Sequence, residues 1–136
     1  MFISALNGSV ASIQCLLALG ADGCLVDYLG WSPLHAASQN GHLEALESLL
    51  EADVEINRKT YHGFTCAYIA AQDGQMEMVK LLIEKNADIN LPENQGCRPL
   101  HIAAQNGHLD IVELLLDNSA RINKMDSNGW SALHYA

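Results

Sequence analysis

The feature that most constrains this chain is a period of 33 residues. Arg98-Pro99-Leu100-His101-Ile102-Ala103-Ala104-Gln105-Asn106-Gly107-His108 is the clearest unit, and Ser32-Pro33-Leu34-His35-Ala36-Ala37-Ser38-Gln39-Asn40-Gly41-His42 repeats it two periods earlier. Between them lies a weaker copy, Thr65-Cys66-Ala67-Tyr68-Ile69-Ala70-Ala71-Gln72-Asp73-Gly74-Gln75. A further copy begins at Ser131-Ala132-Leu133-His134-Tyr135-Ala136. Gly30, Gly63, Gly96 and Gly129 stand ahead of the copies at a constant spacing of 33. A fixed period of this length marks an array of stacked units rather than a single globule.

The residues inside each unit resemble the ankyrin repeat. The match lies in the Ser/Thr-Pro-Leu-His opening, the Ala-Ala pair, the Gly-His step, the Leu-Leu run and the closing Ala-Asp-Ile-Asn. The resemblance spans essentially the whole chain. It implies an all-α repeat solenoid: ankyrin-like helix-turn-helix pairs joined by β-hairpin or loop fingers. In this register the chain is one array over 1–136, divided into a partial unit at 1–29, units at 30–62, 63–95 and 96–128, and the start of another at 129–136. Because the chain begins and ends inside a unit, it reads as a piece of a longer array or as an unusual natural end. Apolar surface is expected to be bare near its termini, since repeat arrays need polar caps.

Unit 30–62 shows the local physics. Ser32 is placed to cap a helix, and Pro33 falls at the first helical position, where its missing N–H costs nothing. Ala36 and Ala37 allow close approach of neighbouring helices. After Gly41 a second helix is expected with Leu43, Leu46, Leu49 and Leu50 on one side and Glu44, Glu47 and Glu51 on the other. Each buried leucine contributes roughly 1.5–3 kcal/mol. Isolated helices below about 12–15 residues are marginal in water, so cohesion must come from neighbouring units. The same stripe is read at Val10, Ile13, Leu16 and Leu17, at Met76, Val79, Leu82 and Ile83, and at Leu109, Val112, Leu115 and Leu116. Gly20, Asp53, Asn86 and Ser119 follow these helices where a left-handed turn is expected, with serine the poorest choice.

Composition excludes several functions. No run of 18 apolar residues provides a membrane span. The N-terminal apolar stretch lacks the basic segment of a signal peptide, and Gly8 and Leu16-Leu17 lie one period before Gly41 and Leu49-Leu50. Seven Lys and Arg against sixteen Asp and Glu give a net charge of −9, which argues against nucleic acid and acidic membranes and for a protein partner with a basic surface. The four cysteines, at 15, 24, 66 and 97, form no Cys-x-x-Cys pair, which fits an intracellular, cytoplasmic or nuclear, setting.

Candidate chemistry is thin. His35, His101 and His134 recur in register, and His42 and His108 follow two of them seven residues on, across a glycine break that suits no metal site. By the resemblance, the first histidine holds the finger backbone and the second tightens the turn between helices. Cys66 and Cys97 read as packing residues. No phosphate loop, Ser-His-Asp set or paired-carboxylate site is found, so the chain is read as non-enzymatic, with no cofactor and no metal.

Asn57, Asn90 and Asn123 close successive units at intervals of 33. Each either fixes a local turn or, by the resemblance, serves as a substrate of an asparaginyl hydroxylase. Asn57 and Asn90 fit the latter better, with Glu55 and Asp88 two residues before them.

Five of the eight aromatic residues, Tyr28, Trp31, Tyr61, Phe64 and Trp130, fall at finger positions outside the helical stripes. The resemblance implies that fingers and first helices face a concave groove where partners dock. These five, with Gln39, Gln72 and Gln105 at the ends of the first helices, are the candidate partner-binding residues. Trp and Tyr carry much of the energy at interfaces. Packing of each ring over the next finger is the competing role. The function so read is a protein–protein interaction scaffold. The alternatives are a targeting array of a larger enzyme, ubiquitin-ligase adaptor or channel, and a hydroxylase substrate.

Overall fold

The computed structural model describes residues 1–136. It contains nine helices and no strands: α1 Phe2–Leu6, α2 Val10–Ala18, α3 Pro33–Gln39, α4 Leu43–Glu51, α5 Cys66–Gln72, α6 Met76–Glu84, α7 Pro99–Gln105, α8 Leu109–Asp117 and α9 Ala132–Tyr135. The odd-numbered helices stack in one row, α1 to α3 to α5 to α7 to α9, and α2, α4, α6 and α8 form a second row behind them. The result is an all-α solenoid two helices thick.

Helices α3, α5 and α9 start on Ser32, Thr65 and Ser131, residues suited to a helix start. The Ser32 N–H donates to Nδ1 of His35 at 3.1 Å, and the Ser32 hydroxyl lies 2.8 Å from the same nitrogen, so histidine takes the third-position role that glutamate has in a capping box. In α5 that histidine is replaced by Tyr68, and Thr65 Oγ1 accepts the Tyr68 N–H directly at 3.2 Å. Alanines then bring the first row together: Ala36, Ala37, Ala70, Ala71 and Ala103 are fully buried. Ser38, also buried, donates its hydroxyl to the Cys66 carbonyl at 3.0 Å and pins α3 to α5.

The buried stripe of the second row is Ala45, Leu46 and Leu49 in α4, Met78, Val79 and Leu82 in α6, and Ile111 and Leu115 in α8. It is centred slightly off the expected one. Leu43, Leu50, Met76 and Ile83 are half-buried at its edges, and Ala45, Met78 and Ile111 fill the middle. Leu109, expected inside, is 67% exposed. Its counterparts Leu43 and Met76 have another second-row helix stacked beyond them, whereas α8 is the last of that row. The same end leaves Ile122 and Leu133 exposed beside Leu116, in a small wholly apolar hollow.

Gly20, Asp53, Asn86 and Ser119 all have positive φ, from 61° at Asp53 to 85° at Gly20, and the second helices end in the left-handed turn that the sequence predicts.

The fingers are loops rather than paired strands, each closed by two backbone bonds, one of them from the recurring glycine N–H back to the carbonyl three residues earlier. Asp27 N–H donates to the Trp31 carbonyl, Thr60 to Phe64, Glu93 to Cys97 and Asp126 to Trp130, all at 2.8–2.9 Å. Successive fingers are tied by one backbone–backbone bond each: Tyr61 N–H to Leu29 O at 3.0 Å, Asn94 N–H to His62 O at 3.1 Å, and Ser127 N–H to Gln95 O at 2.7 Å. This row explains the recurring glycine. At Gly63, with φ of +87°, a Cβ would stand 2.7 Å from the Asn94 backbone nitrogen. A side chain there would push the next finger away.

Candidate partner-binding groove

The fingers are held by a polar residue recurring in register at 27, 60, 93 and 126. Asp27 Oδ1 accepts from the N–H groups of Leu29 and Trp31, Glu93 Oε1 from Gln95 and Cys97, and Asp126 Oδ1 from Asn128 and Trp130. Thr60 Oγ1 does the same for Phe64. These residues are absent from the expected site, although their spacing of 33 was a usable signal.

Four of the six histidines meet backbone carbonyls through Nε2. Nδ1 of His35 faces an N–H and Nε2 faces the Arg58 carbonyl at 3.0 Å, so the ring is the neutral tautomer with its proton on Nε2. His101 repeats the arrangement with Arg98 N–H and the Lys124 carbonyl. Burial holds both imidazoles below the ordinary histidine pKa. His42 and His108 reach further than their own turns: their Nε2 atoms meet the carbonyls of Leu6 and Gln72, at the ends of α1 and α5 in the preceding pairs.

The asparagines also reach across the array. Asn57 Oδ1 accepts the Asp88 N–H at 2.8 Å, and Asn90 Oδ1 accepts the Arg121 N–H at 2.9 Å. These are bonds between successive loops, not the local turn bonds expected of them. Burial pushes the Cys66 thiol up to about 12 and raises Cys97 as well, so neither is primed as a nucleophile.

The candidate contact residues divide into three groups. Tyr28 and Tyr61 stand out from the fingers at 86% and 66% exposure, and Trp130 is also exposed. Trp31 and Phe64 are half-buried. The Trp31 ring sits edge-on to His35 with centroids 5.9 Å apart, and Phe64 stacks on Tyr68 at 5.1 Å. Gln39, Gln72 and Gln105 are exposed at the ends of α3, α5 and α7.

A depression of about 400 Å³ lies where the later fingers meet the first helices. It brings together Phe64 and Gln105 from the candidate set with His62, Tyr68, Glu93, Asn94, Gln95, Cys97, Asp126 and Tyr135. Tyr28, Trp31, Gln39, Tyr61, Gln72 and Trp130 lie outside it. The Tyr135 hydroxyl donates to Asp126 Oδ2 at 2.5 Å. That bond draws the Asp126 carboxyl below its usual range and pushes the Tyr135 phenol up to about 12. Tyr68 and Tyr135 are not in the same register, and only the stacking of α5, α7 and α9 brings them to one wall.

Helix pairs stacked in two rows, with loops tied edge to edge along one side, define a helical-repeat protein. The profile of ankyrin repeats (3 copies) matches residues 1–93 and 68–136, and the chain belongs to the ankyrin-repeat family. A search of curated proteins returned no match. Ankyrin repeats are in general protein–protein interaction modules. No helix is long and apolar enough to cross a membrane.

Proposed function

We propose that this array is a non-enzymatic scaffold that holds a protein partner along its finger row and the groove beside it. The observation that carries the reading is the exposure of Tyr28 and Tyr61, at 86% and 66%, on fingers whose backbones are bonded into a row. A large ring held out on a fixed backbone loses little entropy on binding and brings much apolar area. Gln39, Gln72 and Gln105 supply polar contacts beside the rings, and the net charge of −9 favours a partner with a basic surface. Trp31 and Phe64 contribute chiefly by stiffening the fingers through His35 and Tyr68. The repeat units are proposed as 30–62, 63–95 and 96–128 with partial units on either side, in an intracellular protein whose cysteines remain thiols.

The test compares wild-type chain with the Tyr28→Ala/Tyr61→Ala double variant. Proteins captured by each are quantified by mass spectrometry, and the leading partner is then titrated in purified form. The expected result is a loss of at least about tenfold in affinity, the scale of one good interfacial ring, with the melting temperature nearly unchanged. A fall in melting temperature with affinity intact would assign the rings to packing instead.

A further inference from the structure

The depression between the later fingers has a composition that a generic contact surface does not need. Its walls carry the Phe64, Tyr68 and Tyr135 rings, the Glu93 and Asp126 carboxylates and the Gln105 amide, and no lysine or arginine lines it. Asp126 is fully engaged: Oδ1 accepts two backbone N–H groups and Oδ2 accepts the Tyr135 hydroxyl. Glu93 is not. Its Oε1 accepts Gln95 and Cys97 N–H groups, and its Oε2 has no partner. The site therefore offers one free carboxylate oxygen, a second negative charge held in place by the finger, and aromatic walls.

We propose that this depression receives an arginine side chain of the protein partner, with the guanidinium against Glu93 and the rings and its methylene stem along Phe64 and Tyr68. Charge complementarity selects a cation, because two carboxylates line the hollow and its one basic residue, His62, is a histidine rather than a lysine or arginine. The rings select arginine over lysine. A planar, weakly hydrated guanidinium stacks on aromatic faces and donates to carboxylate and amide oxygens at once, whereas a compact ammonium is more strongly hydrated. At about 400 Å³, the volume admits the side chain together with flanking backbone. The proposal rests on the groove reading above and specifies what part of a partner enters it.

The experiment uses the ¹⁵N-labelled chain and three capped pentapeptides, Gly-Ala-X-Ala-Gly, with X as arginine, lysine or citrulline. Citrulline keeps the shape of arginine and lacks its charge. The expected result is a set of amide shifts confined to Glu93–Cys97, Asp126 and Tyr135 that saturate with a dissociation constant of about 1–5 mM for arginine. Lysine should bind several-fold more weakly and citrulline at least about tenfold more weakly. Glu93→Gln retains an oxygen for the finger N–H groups and removes the charge. It should keep the dispersed spectrum and lose about tenfold in affinity for the arginine peptide. Equal binding of citrulline or lysine, shifts scattered over the acidic surface, or no shifts would overturn the proposal. The finger variants separate it from the groove reading. If Tyr28→Ala/Tyr61→Ala loses the partner while the arginine peptide leaves the depression untouched, only the arginine site falls. If the peptide binds and the double variant keeps its partner, only the finger reading falls.

Discussion

Nε2 of His35 lies 3.0 Å from the carbonyl oxygen of Arg58, at the start of the next finger's stem, while Nδ1 of the same ring accepts the Ser32 N–H. One imidazole thus joins the start of α3 to a loop 23 residues away, and the bond that Nδ1 accepts requires the neutral ring. Protonation would put a second N–H on Nδ1, facing a backbone donor. Burial lowers the folded pKa of His35, and of His101 in the same arrangement, below the ordinary value of 6.5. The unfolded chain therefore takes up these protons first as the pH falls. The stability contributed by the neutral rings is fully present above pH 6.5 and is lost as the pH drops below it toward the folded pKa values. Melting temperature measured from pH 8 to pH 5 should be flat at first and then decline below about 6.5. His35→Ala should cost about 2–4 kcal/mol at pH 8, through the lost bonds and the cavity, and should flatten the acid decline. An unchanged pH profile in that variant would show that other groups govern the acid limb.

Ser119 ends α8 with φ of 70°, in the left-handed region where a Cβ crowds the backbone. Glycine does this job at Gly20, and asparagine at Asn86. Ser119 is exposed, and the only bond it makes across the array is through its backbone carbonyl, which accepts from Asn90 Nδ2 at 3.3 Å. That bond does not depend on the side chain. Ser119→Gly should therefore stabilise the fold, the relief of roughly 1–2 kcal/mol of strain exceeding the added flexibility of the unfolded chain. A urea titration should show a higher midpoint with the same slope.

These two sites are legible in the sequence, because the period fixes what stands at each position of a unit. The helix order, the left-handed stops and the histidine positions all follow from it. What the period does not encode is whether the neighbouring unit is present to cover a residue. Leu109 reads like Leu43 and Met76, yet it is exposed because no second-row helix lies beyond α8. Nor does it encode contacts between units. Asn57 looks like a residue of its own turn, but its carbonyl oxygen is taken by Asp88, 31 residues on. The groove was half legible. Phe64 and Gln105 were visible as finger and helix-end residues, while Tyr68 and Tyr135 join them only because α5, α7 and α9 stack side by side.

Asn57 and Asp88 give a direct measure of that coupling. The side-chain oxygen of Asn57 accepts the Asp88 N–H at 2.8 Å in an exposed bond and ties the loop after α4 to the loop after α6. Asn57→Ala should cost about 0.5–1.5 kcal/mol, the net worth of one side-chain-to-backbone bond whose donor can reach water. Hydrogen exchange should locate the loss at the Asp88 amide. Unaltered protection there would mean that water replaces the asparagine without cost.

Gly63 and Gly129 occupy the same place in fingers two periods apart and have φ of 87° and 78°. Their surroundings differ. A Cβ at Gly63 would come within 2.7 Å of the Asn94 backbone nitrogen and 2.9 Å of the Glu93 Cα, while at Gly129 it would meet nothing within 4 Å. Alanine at either position carries the same left-handed strain, about 1–2 kcal/mol. Only Gly63→Ala also forces apart two fingers joined by the Asn94 N–H to His62 O bond. Gly63→Ala should therefore be the more destabilising by at least about 1 kcal/mol, and it should raise the exchange rate of the Asn94 amide. Gly129→Ala should leave that amide protected. Equal costs at the two positions would mean that glycine recurs every 33 residues for its dihedral freedom alone, and not because the next finger's backbone needs the space.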